Sequence, residues 1–500
     1  MGRTTAEVLE TIAQKRNEKI AKLGFSFNHP LPTQRQTPLI PPHHAPHSPL
    51  MIAEVKRASP SAGLIDTIPD VCELARKYIA QGANVISVLT EEDHFKGSLS
   101  DLMAIKNTFP NISVLRKDFI QHPEEIEISY RAGADLVLLI VAMFLGDRKK
   151  EADFAAILSE CKKYALTPLI EIHNEQEIQF ALAFNPEILG INSRNLHDFT
   201  IDKNKALYLK SKIPASVKTI FESGIQSSFD GYLAGTFGFD GMLCGSYLVK
   251  SQDTKDNLAH LIKAYTKGKQ LQNPFYQKVF DSIYTSPVPL VKICGITDLD
   301  DAFNAAEAGA DMLGFILTKQ SPRYCATSNV KLMSKAITRI YPHILKVGVI
   351  TESKDEFILA RELFKEGMID CIQLHSYNPT TPNFYASYDL KEADFNFYAC
   401  VNFDSPKDYP THSPSPFVLL DSKSSAQGGS GKSIAISALL ELKAMGKDLF
   451  IAGGVGLDNL DTLLGLKPKM LDINSKIELS VGKKDKIKLQ TIIKTIKTPR

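Results

Sequence analysis

Tryptophan is absent from these 500 residues, and several features that mark broad protein classes are scarce as well. The seven cysteines are odd in number and no two stand as CxxC, which argues against a disulfide framework and against a structural zinc site. Lys and Arg number 58 against 56 Asp and Glu, a net charge of +2 with no basic block, so nothing offers nucleic acid an electrostatic footprint. The longest apolar run, Leu136–Leu145, is too short to span a bilayer. The N-terminal stretch MGRTTAEVLETIAQKRNEKIAKLG lacks an apolar signal core and reads as an amphipathic helix with Val8, Leu9, Ile12, Ile20 and Leu23 towards one side. These absences lead us to expect a cytoplasmic protein with neither nucleic-acid nor membrane partners.

What is present is globular in composition, 44% hydrophobic and 23% charged, and too long for one ordinary core. Two domains sharing this length are expected to be stable as a monomer. The reading places an N-terminal helix and Pro/His-rich segment at 1–50, a first domain at 51–265, a linker at 266–287 and a second domain at 288–500. The segment His29–Pro49 holds four of the twelve histidines. Proline keeps it extended, and no carboxylate or cysteine is interleaved, so no metal site is expected there.

From Met51 onward short β-branched runs alternate with longer amphipathic ones. The expected strands are Met51–Lys56, Val85–Thr90, Ser113–Lys117, Leu136–Val141, Pro168–Ile172, Ile188–Asn192, Val217–Glu222 and Gly241–Cys244. Helical patterns at Val71–Gln81, Glu124–Ala132, Asp153–Tyr164 and Glu175–Phe184 lie between them. Runs such as LVLLIV are apolar at successive positions, as strands buried on both faces of a parallel sheet require. The pattern restarts after Pro287–Pro289 with Leu290–Cys294, Met312–Leu317, Leu345–Ile350, Cys371–Leu374, Phe397–Val401, Phe417–Asp421, Leu449–Ala452 and Met470–Ile473. The expected fold is α/β, two tandem (β/α)8 TIM barrels.

Polar groups gather where the first set of strands ends. Glu54 and Lys56 share the stretch MIAEVKRASPSAG, a strand that runs straight into a small-residue turn. Lys117, Glu171, Asn192 and Arg194, Glu222 and Ser223, and Gly245 and Ser246 close later strands. In a barrel of this type that end is the catalytic face.

These residues also carry a resemblance. IAEVKRASPSAG, SVLTEE, LRKDF, LIEIHN, GINSRNL, ESGI and CGSYL stand in the order and spacing of indole-3-glycerol-phosphate synthase, across most of residues 50–250. The resemblance implies ring closure of 1-(2-carboxyphenylamino)-1-deoxyribulose 5-phosphate with loss of CO2 and water. It gives Lys117 and Lys56 the acid roles and makes Glu171 the base. Glu54, Asn192, Arg194, Glu222 and Ser223 are expected to position substrate and developing charge. Ser59, Gly224, Gly245 and Ser246 are expected to hold phosphate, which barrels commonly bind in the loops after strands 7 and 8.

In the second half, Ala426–Ser433 (AQGGSGKS) satisfies a relaxed phosphate-loop pattern. Its first position is Ala where the strict motif has Gly, and it follows strand six of eight, so nucleotide hydrolysis is set aside. VKICGITDLDDA, GFILTKQSPRY, QLH, LLDSKSSAQGGSGKS, IAGGV and LDINSKIE instead resemble phosphoribosylanthranilate isomerase over roughly residues 290–480. The implied reaction is an Amadori rearrangement whose product is the first domain's substrate, run by one acid and one base without cofactor or metal. Asp421 fits the acid. Cys294 fits the base, for which a thiolate needs a depressed pKa. Cys161 and Cys400 are expected to be buried small hydrophobes. Arg323 is expected to hold the anthranilate carboxylate, and Gly429, Gly453, Gly454, Asn474 and Ser475 the phosphate, with His375 near the mouth.

The whole chain is thus expected to be a bifunctional enzyme of tryptophan biosynthesis acting on small sugar phosphates. The alternative is synthase activity alone beside a degenerate second barrel. A protein made when tryptophan is scarce gains from containing none, in keeping with the composition.

Overall fold

The apolar runs do become strands buried on both faces. A computed structural model describes residues 5–42, 49–59, 63–64, 68–195, 200–250, 256–271, 273–351, 353–375, 394–410, 415–422 and 433–498. In the first unit β1 (Leu50–Val55), β2 (Val85–Leu89), β3 (Ser113–Lys117), β4 (Leu136–Ile140), β5 (Thr167–Ile172), β6 (Ile188–Asn192), β7 (Lys218–Glu222) and β8 (Gly241–Cys244) form a closed barrel. Every pairing is parallel and joins chain neighbours, and β1 closes onto β8 with Ala53 opposite Cys244. The second unit repeats this with β9 (Leu290–Ile293), β10 (Met312–Ile316), β11 (Leu345–Ile350), β12 (Cys371–Leu374), β13 (Phe397–Phe403), β14 (Val418–Ser422), β15 (Phe450–Ile451) and β16 (Met470–Ile473). Each is a (β/α)8 barrel.

Strand positions follow the sequence reading closely, and the departures have local causes. The helix Arg148–Lys163 begins five residues ahead of the expected Asp153, because Asp147 caps it by accepting from the N–H groups of Lys149 and Lys150. The helix Glu124–Ala132 stops as expected, with Gly133 left-handed beyond it.

The stretch 266–287 is largely helical. The helix Asn257–Leu271 packs backbone to backbone on the helix Ser228–Thr236. A Cβ added at Gly235 would lie 2.1 Å from Tyr265 O, and one at Gly268 would lie 2.0 Å from Tyr232 O. The changeover between the two units lies between Gln272 and Asn273. The next helix, Phe275–Thr285, buries Phe275, Tyr276, Val279, Phe280 and Ile283. It is tied to the second barrel by the Tyr276 hydroxyl, which accepts from Phe397 N at 2.9 Å and donates to Phe397 O.

The N-terminal stretch is helical over Thr5–Leu23, with Ile12 buried as expected but Leu23 exposed. Its anchor is ionic rather than purely apolar. Arg16, buried, bridges Asp118 at 2.8 Å and also pairs with Glu125. His29 sits between Glu92 (2.7 Å) and Ser100 (3.0 Å). His43, His44 and His47 lie outside the described residues.

Candidate active sites

Alternation along a barrel strand sends every second side chain inward, and the last inward positions of β1, β3, β5, β6 and β7 meet at one mouth. There the Lys117 ammonium donates to Glu222 Oε2 at 3.1 Å and to Glu171 Oε2 at 3.3 Å. Asn192 Nδ2 donates to the other Glu171 oxygen at 3.0 Å and passes the constraint on, because its own Oδ1 accepts from Arg194 N at 2.9 Å. Lys56, just past β1, lies 3.4 Å from Glu54 Oε1 and stands over the Phe95 ring. Glu54 acts on both Lys117 and Arg194 through its charge. The cluster needs Gly190 on β6, where a Cβ would coincide with the Glu222 carboxylate.

Burial alone would discharge these groups; their partners decide otherwise. Burial lowers the Lys117 pKa, but Glu222, Glu171 and Glu54 more than offset it, so the ammonium is held charged. Burial raises Glu171, yet Lys117, His173 and Asn192 drive it well below the ordinary carboxylate range. Glu222 moves the other way: burial and the neighbouring Glu171 charge raise it despite Lys117. Two carboxylates on one ammonium are therefore split into an ionised acceptor and a proton-retaining partner, the division that acid–base sites use. Among the described residues, Glu54 Oε2 and Glu222 Oε1 are buried without hydrogen-bond partners.

His173 was missed by the sequence reading. It follows β5 and stands between Glu177 (Nδ1, 3.0 Å) and Glu171 (Nε2, 3.3 Å). Burial disfavours its imidazolium, but both carboxylates raise its pKa to about 9. The only trace in the sequence is the i,i+4 pair in HNEQE.

Both barrels bend their backbones alike after the seventh and eighth strands. Ser223 and Gly224 are left-handed in succession (φ 64° and 73°), and Gly245–Ser246 follow β8 into a short helix. In the second barrel Gly453 and Gly454 are left-handed (φ 70° and 64°), while Asn474 and Ser475 follow β16 into a 3-10 turn. Such turns present adjacent N–H groups suited to an anion. The side chain of Ser59, Gly429 and the loop Ala426–Lys432 lie outside the described residues. Ser433 donates to Gly454 O at 3.1 Å.

The second mouth holds Asp421, near the end of β14, and Cys294, one residue beyond β9. Burial pushes the Asp421 carboxyl up to about 6 against the Ser422 N–H, which donates to its Oδ1 at 2.8 Å. Its Oδ2 lies 3.8 Å from His375 Nε2, and burial lowers that imidazole to about 4, so it is neutral near pH 7.

Cys294 does not have the depressed pKa that a resting thiolate needs. Burial raises it, with Lys292 opposing. Lys292 is fully buried, its Nζ 2.6 Å from Asp472 Oδ2 and 2.9 Å from Gln373 Oε1, an oxygen that also accepts from Tyr398. This inward-facing polar set was not anticipated. Gly314 leaves room for it, since a Cβ there would meet Cys294 Sγ at 2.9 Å and Lys292 Nζ at 3.1 Å. Arg323 has an internal partner. Its fork is filled by the chain's own Glu478, at 2.8 and 2.7 Å, and Lys484 bridges Glu478 and Asn474. Among the described residues, His375, Cys400 and Asp421 have spacing suited to a metal.

Two closed (β/α)8 barrels, each with proton donors and acceptors at its strand ends, define a tandem-barrel enzyme. Residues 1–261 match the family model for indole-3-glycerol phosphate synthase, and residues 291–495 that for N-(5'-phosphoribosyl)anthranilate isomerase. The chain belongs to the indole-3-glycerol phosphate synthase family and carries an N-(5'-phosphoribosyl)anthranilate isomerase domain behind it. It is similar to the multifunctional tryptophan biosynthesis protein of Schizosaccharomyces pombe, 29% identical over 90% of this chain and 59% of that protein. The chain thus spans about three fifths of that relative's length. The indole-3-glycerol phosphate synthase of Rhodococcus jostii is 41% identical over 43% of this chain and 77% of its own. The solved phosphoribosyl anthranilate isomerase of Thermus thermophilus is 28% identical over 41% of this chain and 96% of its own, at a TM-score of 0.35.

Proposed function

We propose that the chain catalyses two consecutive steps of tryptophan biosynthesis. The second barrel isomerises N-(5-phosphoribosyl)anthranilate to 1-(2-carboxyphenylamino)-1-deoxyribulose 5-phosphate. The first barrel converts that product to indole-3-glycerol phosphate, releasing CO2 and water. The observation that carries the reading is the Lys117 ammonium held between an ionised Glu171 and a proton-retaining Glu222.

In the first barrel the aromatic carbon bearing the carboxylate attacks the ketone carbon, and an ammonium, Lys117 or Lys56, protonates the ketone oxygen. Loss of CO2 returns the bonding electrons to the ring. Dehydration then needs one proton delivered to the departing hydroxyl and one removed from the ring system, the latter by Glu171. A donor and an acceptor 3.3 Å apart let the proton taken up by Glu171 restore Lys117. Glu54, Asn192, Arg194 and Ser223 orient the substrate, and the turns at Gly224 and Gly245–Ser246 take its phosphate.

In the second barrel Asp421 protonates the ribose ring oxygen, a role that its raised pKa favours. The Cys294 thiolate, favoured by Lys292, removes the C2′ proton, and the resulting thiol returns a proton to C1′ as the enolamine becomes the ketone. Arg323 takes the anthranilate carboxylate in exchange for that of Glu478, and the turns at Gly453–Gly454 and Asn474–Ser475 take the phosphate. The cytoplasm suits this chemistry and the cysteines, all seven of which are free.

The test supplies the whole chain with N-(5-phosphoribosyl)anthranilate alone, without added metal or cofactor. Indole-3-glycerol phosphate and one equivalent of CO2 are expected. Conversion of only the deoxyribulose phosphate, with the first substrate left untouched, would mean that the second barrel is inactive.

A further inference from the structure

One cysteine at the second mouth has no part in the proposed chemistry. Cys400 lies on β13, wholly buried, and matches the packing role expected of it. Yet its sulfur faces the mouth. Its Sγ, one nitrogen of His375 and one oxygen of Asp421 all lie within 4.8 Å of one another. The three come from successive barrel strands: His375 follows β12, Cys400 is in β13 and Asp421 in β14. We propose that His375, Cys400 and Asp421 form an inhibitory site for a borderline-soft divalent cation of the Zn2+ type.

The geometry suits that ion. With ligand bonds of about 2.0–2.3 Å, tetrahedral zinc needs ligand atoms roughly 3.3–3.8 Å apart. His375 Nε2 and Asp421 Oδ2 already stand 3.8 Å apart, and no separation in the group exceeds this range by more than about one ångström. Side-chain rotation supplies a shift of that size without moving the strands. One thiolate, one imidazole and one carboxylate favour Zn2+ or Co2+ over Mg2+ or Ca2+, which prefer oxygen throughout. Three protein ligands leave a fourth position for water. The nearby Lys292 charge is already matched by Asp472 at 2.6 Å.

Binding replaces the Cys400 S–H proton by the metal, releasing one proton to solvent. No oxidant or reductant takes part. The metal also occupies the Asp421 lone pair that carries the catalytic proton, so isomerisation stops. The synthase barrel shows no such group among its described residues and is unaffected.

The test uses the whole reduced, metal-free chain titrated with Co2+, whose thiolate complexes absorb in the near-ultraviolet and whose tetrahedral complexes absorb strongly in the visible. Wild type and Cys294→Ala should each show both bands, saturating at one equivalent and abolished by Zn2+. Cys400→Ala should lose the near-ultraviolet band and keep its metal-free isomerase rate within about twofold, since it changes only a buried packing group. Zn2+ should inhibit the wild-type isomerase at least tenfold and leave Cys400→Ala and the synthase reaction unchanged. Absence of the band in wild type, or its loss in Cys294→Ala, overturns the proposal. So does its survival in Cys400→Ala. Cobalt binding needs no turnover, so its failure is distinguishable from failure of the isomerase reading.

Discussion

Replacing Asp421 by Asn should slow isomerisation severely while making the second barrel more stable, and the two effects should depend on pH in different ways. The carboxyl is shifted by burial from its ordinary 3.8 to about 6. Below about pH 4 it is protonated in both folded and unfolded chains and contributes nothing to the difference between them. Between 4 and 6 the unfolded chain ionises first, so stability falls as pH rises, and above 6 the penalty is constant. At about 1.4 kcal/mol per pKa unit, a shift of two units costs about 3 kcal/mol. Urea unfolding of Asp421→Asn should therefore match wild type near pH 3.5 and exceed it by about 1–3 kcal/mol at pH 7.5.

The isomerase rate provides the second arm. With the acid titrating near 6 and the thiol above its usual range, the competent form, protonated Asp421 with a Cys294 thiolate, is a minority species. The wild-type rate should climb about tenfold per pH unit up to 6 and then level off, because further gain in thiolate is cancelled by loss of the acid. Asp421→Asn should be about 10²–10⁴-fold slower. Its residual rate should keep climbing through pH 6. A bend near 6 that persists in the variant belongs to the substrate phosphate, which titrates there too, and would refute the assignment. So would a variant that loses activity and stability together.

Other positions test other parts of the structure. His173→Asn removes an imidazolium from beside Glu171, so the acid limb of the synthase profile should move to higher pH, while an unmoved limb would reduce His173 to packing. Gly235→Ala should destabilise the first barrel by about 1–3 kcal/mol in urea, because its methyl group meets the Tyr265 carbonyl oxygen, and a neutral result would contradict that helix contact. Cys400→Ala should remove zinc sensitivity from the isomerase reaction alone.

The barrels were legible because a parallel barrel strand is buried on both faces. LVLLI in β4 can hardly be anything else once a helical pattern follows it. Strand ends were legible for the same reason, since Glu171, Asn192 and Glu222 are the first polar residues after apolar runs. The interior polar pairs were not. Lys292 and Asp472 stand 180 residues apart, each alone in an apolar strand, and nothing local shows that they meet. The Arg323–Glu478 pair hid for the same reason. Cys294 was placed by its motif, but its proton affinity depends on burial and on Lys292, which only the packed barrel reveals. Cys400 was correctly read as buried, although burial by itself does not show what the sulfur faces. The helix Arg148–Lys163 began early because an Asp cap outweighs the onset of periodicity.

The most direct test of two active sites in one chain is the fate of N-(5-phosphoribosyl)anthranilate supplied to Lys117→Ala. With the second site intact and the first deprived of its central ammonium, 1-(2-carboxyphenylamino)-1-deoxyribulose 5-phosphate should accumulate at the wild-type rate of substrate consumption. Indole-3-glycerol phosphate should form at least a hundredfold more slowly, the lower bound for losing a general acid. Unchanged formation of indole-3-glycerol phosphate, or substrate left unconsumed, would contradict the assignment of separate sites to the two barrels.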